Sequence, residues 1–227
     1  MQVSRIFSPP GKLGLREVIA PIEGRRIRVT GNIIKIGQVR SMKDKIKKVS
    51  VRLFYKKGYY ATSMSAIASA SGIRKSSIYY HYSTKEEILL DIFRTTMIEL
   101  QDLLRERLNS SKGAREKMQA AIYCHIIFHI ERQKEAIIAD SELRGLTARN
   151  YQEIMQMRDE YEKQIQDVLK EGIAEGIFVV TDLKVISYGI LSMCTAICTW
   201  FNSSGRLSKE EVADFYSDFI LKGLAKP

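Results

Sequence analysis

Between Thr62 and Lys85 the chain reads TSMSAIASASGIRKSSIYYHYSTK, which gathers hydroxyls, adjacent cations, phenols and an imidazole around a single glycine. Hydroxyls and cations bind phosphate oxygens, while guanidinium, ammonium and hydroxyl groups read base edges in a major groove. The spacing fits two short helices joined by a tight turn. Ala68, Gly72 and Ile73 supply the small and apolar residues that such a turn requires. Arg74, Lys75, Ser76 and Ser77 then occupy the leading turn of the second helix, where side chains reach base edges. Tyr79, Tyr80 and His81 follow with groups able to bond phosphates. Thr62, Ser63 and Ser65 lie at the start of the preceding helix, where hydroxyls and free backbone amides favour a phosphate oxygen. Lys85 opens a later helix, where a cation gains nothing from the helix dipole; phosphate binding would supply its purpose.

Other residues could do chemistry of a different kind. His125 and His129 stand four apart, on one helical face, at a spacing that suits two metal ligands. The residues between them are Ile-Ile-Phe, without the glutamate of a zinc-protease helix, so a pocket or packing role is expected and no metal. An enzyme would have to use this pair with nearby acids such as Glu131. The chain offers neither a Ser or Cys nucleophile constellation nor a Gly-rich phosphate loop, so no catalytic residue is expected. Cys124, Cys194 and Cys198 are odd in number and read as buried free thiols.

The charge distribution supports the polyanion reading. The net charge is +10, yet residues 109–227 carry fifteen basic against seventeen acidic residues. Within 43–85 ten basic residues face only Asp44. A basic front half on a near-neutral back half suits a nucleic-acid-binding module joined to something else. The apolar run Ile186 to Trp200 is broken by Ser, Tyr, Gly and Cys and is expected to stop short of a bilayer span. No segment has the layout of a secretory signal, so the expected compartment is the cytoplasm, with no membrane partner.

The elements that must position these residues are helical. Residues 1–41 hold three of the four prolines, with only a weak alternation at Arg26–Thr30. They read as a disordered arm or as sequence upstream of a true start at Met42, and in the functional alternative as a basic arm along DNA. From Met42, Ile46, Val49, Leu53 and Phe54 repeat at helical spacing up to Gly58. Met64, Ile67 and Ala68 mark a short second helix, and Ile73, Ile78 and Tyr82 anchor a third. Thr84 to Glu87 is a capping box that opens a long helix over 84–108. Five further helices are expected near 114–132, 134–145, 147–175, 182–202 and 208–224. The last two are apolar on more than one face, which suits an inner core on one side and a second copy of the chain on the other. The expected organisation is a 1–41 extension, a helix-turn-helix domain at 42–88, and a helical ligand-binding and dimerisation domain at 89–227.

Leu53 to Leu89, with Phe54, Lys57-Gly58-Tyr59, Thr62-Ser63, Ile67-Ala68, Gly72-Ile73, Ser76-Ser77-Ile78-Tyr79 and His81-Tyr82 followed by Lys85-Glu86, resembles the DNA-binding domain of TetR-family transcriptional regulators. The resemblance implies an all-helical homodimer whose paired N-terminal domains bind a palindromic operator in double-stranded DNA. It implies too that the C-terminal helices enclose a small-molecule pocket. The long extension before Met42 departs from the family pattern. A second pattern, Glu142 to Leu146, Arg158 to Glu162, Glu171 to Phe178, and Trp200-Phe201 with Gly205 to Ser208, is similar to members that sense acyl-coenzyme A thioesters. Such an effector needs an apolar tunnel and cations for its phosphates. Phe128, Met155, Tyr188, Met193 and Trp200 are candidates for the first, and Arg144, Arg149 and Arg158 for the second. The reading is a repressor released by a small apolar or acyl-CoA-type metabolite, needing no other cofactor. The alternative is a DNA binder that answers to no ligand.

Overall fold

The computed structural model describes residues 26–29, 32–35 and 41–226 of the chain. The first compact unit shows one antiparallel pair, β1 (Arg26–Val29) and β2 (Asn32–Lys35), with Arg26 opposite Lys35 and Val29 opposite Asn32. The alternation at Arg26–Thr30 lies over β1. The expectation of disorder across 1–41 otherwise falls outside the described residues.

The second unit, from Met42 on, is all-α. Helix α1 (Met42–Lys57) buries Ile46, Val49, Val51 and Phe54 and turns most of its lysines outward. Helices α2 (Met64–Ala70) and α3 (Lys75–His81) follow. Their turn is held by two hydrogen bonds, Gly72 N–H to Ser69 O (3.0 Å) and Ile73 N–H to Ala68 O (3.0 Å). These satisfy carbonyls that a helix end leaves free, and they require a left-handed residue between them. Gly72 supplies it at φ +71°. Helix α4 (Lys85–Asn109) begins at Thr84, whose hydroxyl accepts the Glu87 N–H (3.1 Å). The Glu87 carboxylate reaches back to the Ser83 N–H (2.7 Å), one residue earlier than a simple capping box predicts.

Helix α5 (Gly113–Glu131) is buried on nearly every side over its second half, as suits a central helix. It packs against α4, α7 (Ala148–Ala174), α8 (Leu183–Thr195) and α10 (Lys209–Leu224). Two expected helices divide. The stretch expected at 134–145 forms α6 (Gln133–Ser141) and then a 3₁₀ turn, Leu143–Gly145. The stretch expected at 182–202 forms α8 and a short α9 (Ile197–Trp200). The Gln133 side-chain amide donates to the carbonyls of Cys198 (2.7 Å) and Phe201 (3.2 Å), which closes α9 early.

Helix α4 runs unbroken across residue 88. Its Ile88, Leu89, Ile92 and Phe93 share one apolar cluster with Phe54, Ile67 and Ile78, which Ile138 of α6 and Ile154 of α7 join. The helix-turn-helix core is therefore completed by C-terminal helices. Leu183–Trp200, eighteen residues long, meets the length and composition of a bilayer span. It is nonetheless split at Ala196, and it buries Ile190, Cys194, Ile197 and Cys198 within the bundle.

Candidate nucleic-acid interface and effector domain

Helix α3 is held by one buried side chain. Ile78 is fully buried, while Lys75, Ser76, Ser77, Tyr79 and Tyr80 are exposed and His81 is half-exposed. Tyr82, just past its end, is also buried and donates its hydroxyl to Asp91 of α4 (2.5 Å). With both anchors on one side, α3 presents Arg74, Lys75, Ser76, Ser77, Tyr79 and Tyr80 together on its open side. Tyr80 is 89% exposed, so its ring and hydroxyl are both open to a partner. Its ring meets the edge of His81 at 5.3 Å. On α2, Ser63 caps the helix by accepting the Ala66 N–H (3.1 Å), and both Ser63 and Ser65 stay exposed.

Two of the sequence-predicted phosphate ligands are committed elsewhere. Thr62 is buried, and its hydroxyl donates to Gly58 O (2.9 Å). Lys85 turns inward. Its ammonium donates to Tyr59 O (2.7 Å), Thr62 O (2.8 Å) and, more weakly, Tyr60 O (3.4 Å), and lies 4.2 Å from the centre of the Tyr59 ring. In the loop between α1 and α2 Tyr59 O also accepts the Thr62 N–H (3.1 Å), and the lysine supplies the donor to the Tyr60 and Thr62 carbonyls and a second one to Tyr59 O. Its work at the head of α4 is to staple that loop, which corrects the expectation of a phosphate contact at both positions.

The candidate effector residues do not converge. Arg144 and Arg149 are exposed beside the DNA-binding domain, where Arg144 O accepts the Tyr60 hydroxyl (2.9 Å). Tyr188 and Trp200 are 65% and 53% exposed on the outer side of α8 and α9. Trp200 stacks on Tyr216 and borders an open groove of about 240 Å³ with Arg206, Leu207, Val212 and Phe215. Phe128 is buried on α5, and Met155 and Met193 are half-buried. Arg158 alone points a cation inward, donating to Ala139 O (2.8 Å).

The interior polar groups were only half visible in the sequence. His125 bonds the Tyr161 hydroxyl through Nδ1 (2.9 Å) and Thr195 Oγ1 through Nε2 (2.9 Å). His129 stacks on it at 4.0 Å and donates Nδ1–H to the His125 carbonyl (2.8 Å). Burial lowers both imidazoles below the usual range, with His129 reaching about 4, and the Arg158 cation lowers His129 further. Both are neutral at neutral pH. Tyr161 and Thr195 had no sequence signal, because they lie 36 and 70 residues from His125 and only the packing of α7 and α8 on α5 unites them. Among the described residues no group of three His, Cys, Asp or Glu side chains is placed to hold a metal. All three cysteines are buried, and burial raises Cys124 and Cys194 to about 12.

Comparison with known proteins matches both regions. Residues 46–92 fit the model of bacterial regulatory proteins of the tetR family, and residues 111–224 fit a tetracyclin repressor-like C-terminal domain. The transcriptional repressor KstR2 of Mycobacterium tuberculosis (strain H37Rv) is 25% identical over 193 residues, covering 84% of this chain and 96% of that protein. The crystal structure of PfmR from Thermus thermophilus, a TetR family transcriptional regulator, superposes with a TM-score of 0.73 at 29% identity, covering 80% of this chain and 99% of the other. That of AibR in complex with isovaleryl coenzyme A and operator DNA superposes with a TM-score of 0.72 at 24% identity, covering 82% and 100%.

Proposed function

The chain belongs to the TetR family of bacterial regulatory proteins, which are helix-turn-helix transcriptional regulators and not enzymes, and from that premise we propose that it is a dimeric repressor, released from a palindromic operator by a small acyl-type metabolite. The observation that carries the reading is α3: a short helix fixed by Ile78 and a glycine turn, with all its other groups free to meet a major groove. Arg74, Lys75, Ser76 and Ser77 are its base-reading candidates. Tyr79, Tyr80, His81, Ser63 and Ser65 are the phosphate candidates that remain once Thr62 and Lys85 are withdrawn.

The outer faces of α8 and α10 support dimerisation. Val185, Tyr188, Phe215 and Phe219 are each more than 60% exposed, while Ile190, Val212, Ile220 and Leu221 on the opposite sides are buried. A second copy covering the first set would pair its two helices with these two, giving a four-helix interface. Effector binding would stabilise a dimer whose recognition helices no longer match successive grooves, which requires a preference of a few kcal/mol for that state. Ligand responsiveness is general to the family. The reading of an acyl effector draws support from the buried apolar residues of the C-terminal helices and the inward Arg158, and AibR, which shares the fold, is seen with isovaleryl coenzyme A.

Selection of genomic fragments by the purified protein tests this reading. Enrichment of inverted repeats, loss of binding on combined substitution of Lys75→Ala and Tyr79→Ala, and release by members of a fatty acyl-CoA series are the expected results. Sequence-independent retention of DNA would overturn the operator, and DNA binding unmoved by any acyl compound would overturn the effector class.

A further inference from the structure

Helix α3 is seven residues long, too short to hold a shape by its own hydrogen bonds. Its direction is set by what it is tied to. The Gly72 turn fixes where it starts, and Ile78 seats its middle in the apolar cluster. Burial of an apolar side chain is non-directional, so these two supports leave the roll of the helix about its axis weakly set. Tyr82 supplies a third. Its N–H closes the last turn onto Ile78 O (3.0 Å), its ring is buried, and its hydroxyl donates to Asp91 Oδ2 of α4 (2.5 Å).

Asp91 is in turn held in place. Lys47 of α1 sets its ammonium 3.4 Å from the same Oδ2 and donates to Thr95 Oγ1 (2.9 Å). Thr95 donates its hydroxyl to Asp91 O (2.7 Å), one turn back along α4. Lys43, also from α1, lies 4.9 Å from the centre of the Tyr82 ring. The tyrosine that ends α3 is thus gripped at ring and hydroxyl by side chains of two other helices. Packing alone does not ask for this: a phenylalanine would fill the same space, whereas a buried hydroxyl must be given a partner. A hydrogen bond to a charged acceptor adds strength and a preferred angle. Contacts to base edges need that precision, because they weaken steeply when misaligned, while attraction to phosphates does not. Burial and the Asp91 carboxylate also raise the phenol above its ordinary range, which keeps the proton on the hydroxyl.

We propose that Asp91 is a positioning residue for operator recognition: by accepting the Tyr82 hydroxyl it fixes the roll of α3, and so governs which DNA sequence is selected. Its own carboxylate, spent on Tyr82 and Lys47, is none of the groups on the open side of α3. The proposal rests on the regulator reading above.

The test compares full-length variants on two duplexes by fluorescence anisotropy. One is the duplex most enriched by the wild-type protein from genomic fragments; the other is a scrambled duplex of equal length and composition. Tyr82→Phe removes one oxygen and keeps the ring. It is expected to weaken binding to the enriched duplex by about tenfold and to leave the scrambled duplex within about twofold. Asp91→Ala should do the same, and the double variant no more than either, since both changes remove one bond. Asp91→Asn keeps an oxygen that accepts the hydroxyl, and is expected to hold the ratio of the two affinities within about threefold of wild type.

Equal weakening on both duplexes would overturn the proposal, because that is what a loss of folded protein produces. So would additive losses in the double variant, or an Asp91→Asn ratio as low as that of Asp91→Ala. Should Asp91→Ala fail to fold, Tyr82→Phe and Asp91→Asn still decide between the outcomes. A wild-type protein that enriches no duplex would sink the regulator reading and this proposal with it. Enrichment by the wild type with an unmoved ratio in Tyr82→Phe would sink this proposal alone.

Discussion

At Lys85 a cation at the head of a long helix turns away from solvent to close three loop carbonyls. Sequence reasoning saw the unfavourable position and inferred a phosphate, because the carbonyls lie more than twenty residues upstream and only the folded loop brings them near. Lys85→Met is expected to destabilise the protein by about 2 kcal/mol in urea unfolding, the scale of charged hydrogen bonds. The salt dependence of DNA binding should keep its slope in that variant, since no phosphate contact is lost. A flattened slope for Lys85→Met would restore the phosphate role.

The histidine pair sets a pH dependence with a definite sign. Both imidazoles are lowered from 6.5, His129 to about 4, so the unfolded chain takes up protons first as the pH falls. Their stabilisation is complete above 6.5 and is lost from there downward through the lower folded values. Down to about pH 5 the loss at His129 should reach about 1.5 kcal/mol. Glu86, Glu153 and Glu162 are held below 4.5, which keeps their titration out of that upper window. His129→Gln should shallow the decline in denaturant midpoint between pH 6.5 and 5; an unchanged decline would show that other groups cause it.

Elements were more legible than their joints. The α2–α3 turn was readable because one glycine and flanking apolar residues specify it locally. The 3₁₀ turn at Leu143–Gly145 was not, because its reason lies across the molecule, in the Tyr59 ring and the Leu89 side chain against which Gly145 packs. Nor was the early end of α9, which depends on a glutamine 65 residues away. Gly145→Ala should push this turn off the DNA-binding domain at a cost of about 1–3 kcal/mol, the range for overpacking. Calorimetry should show a lower melting temperature with the helical content intact. An unchanged melting temperature would mean that the turn has room to shift.

For the whole molecule, the exposed aromatics of α10 make the decisive test of assembly. Phe219→Glu is expected to convert a dimer to a monomer in sedimentation velocity and to weaken operator binding by well over tenfold, since a half-site alone keeps only its own contacts. A variant that stays dimeric would move the interface to another face. In the proposed ligand-released dimer, α4 would set the gain of the device. At 1.5 Å per residue its 25 residues form a rod about 37 Å long, one end among the helix-turn-helix side chains and the other packed along α5 up to Leu104 before it emerges at Asn109. A tilt of about 5° about the far end sweeps the near end through about 3 Å, nearly the rise of one base pair. A rearrangement too small to disturb the packing around His125 would thus be magnified, by the stiffness of an uninterrupted helix, into a misfit of register on DNA.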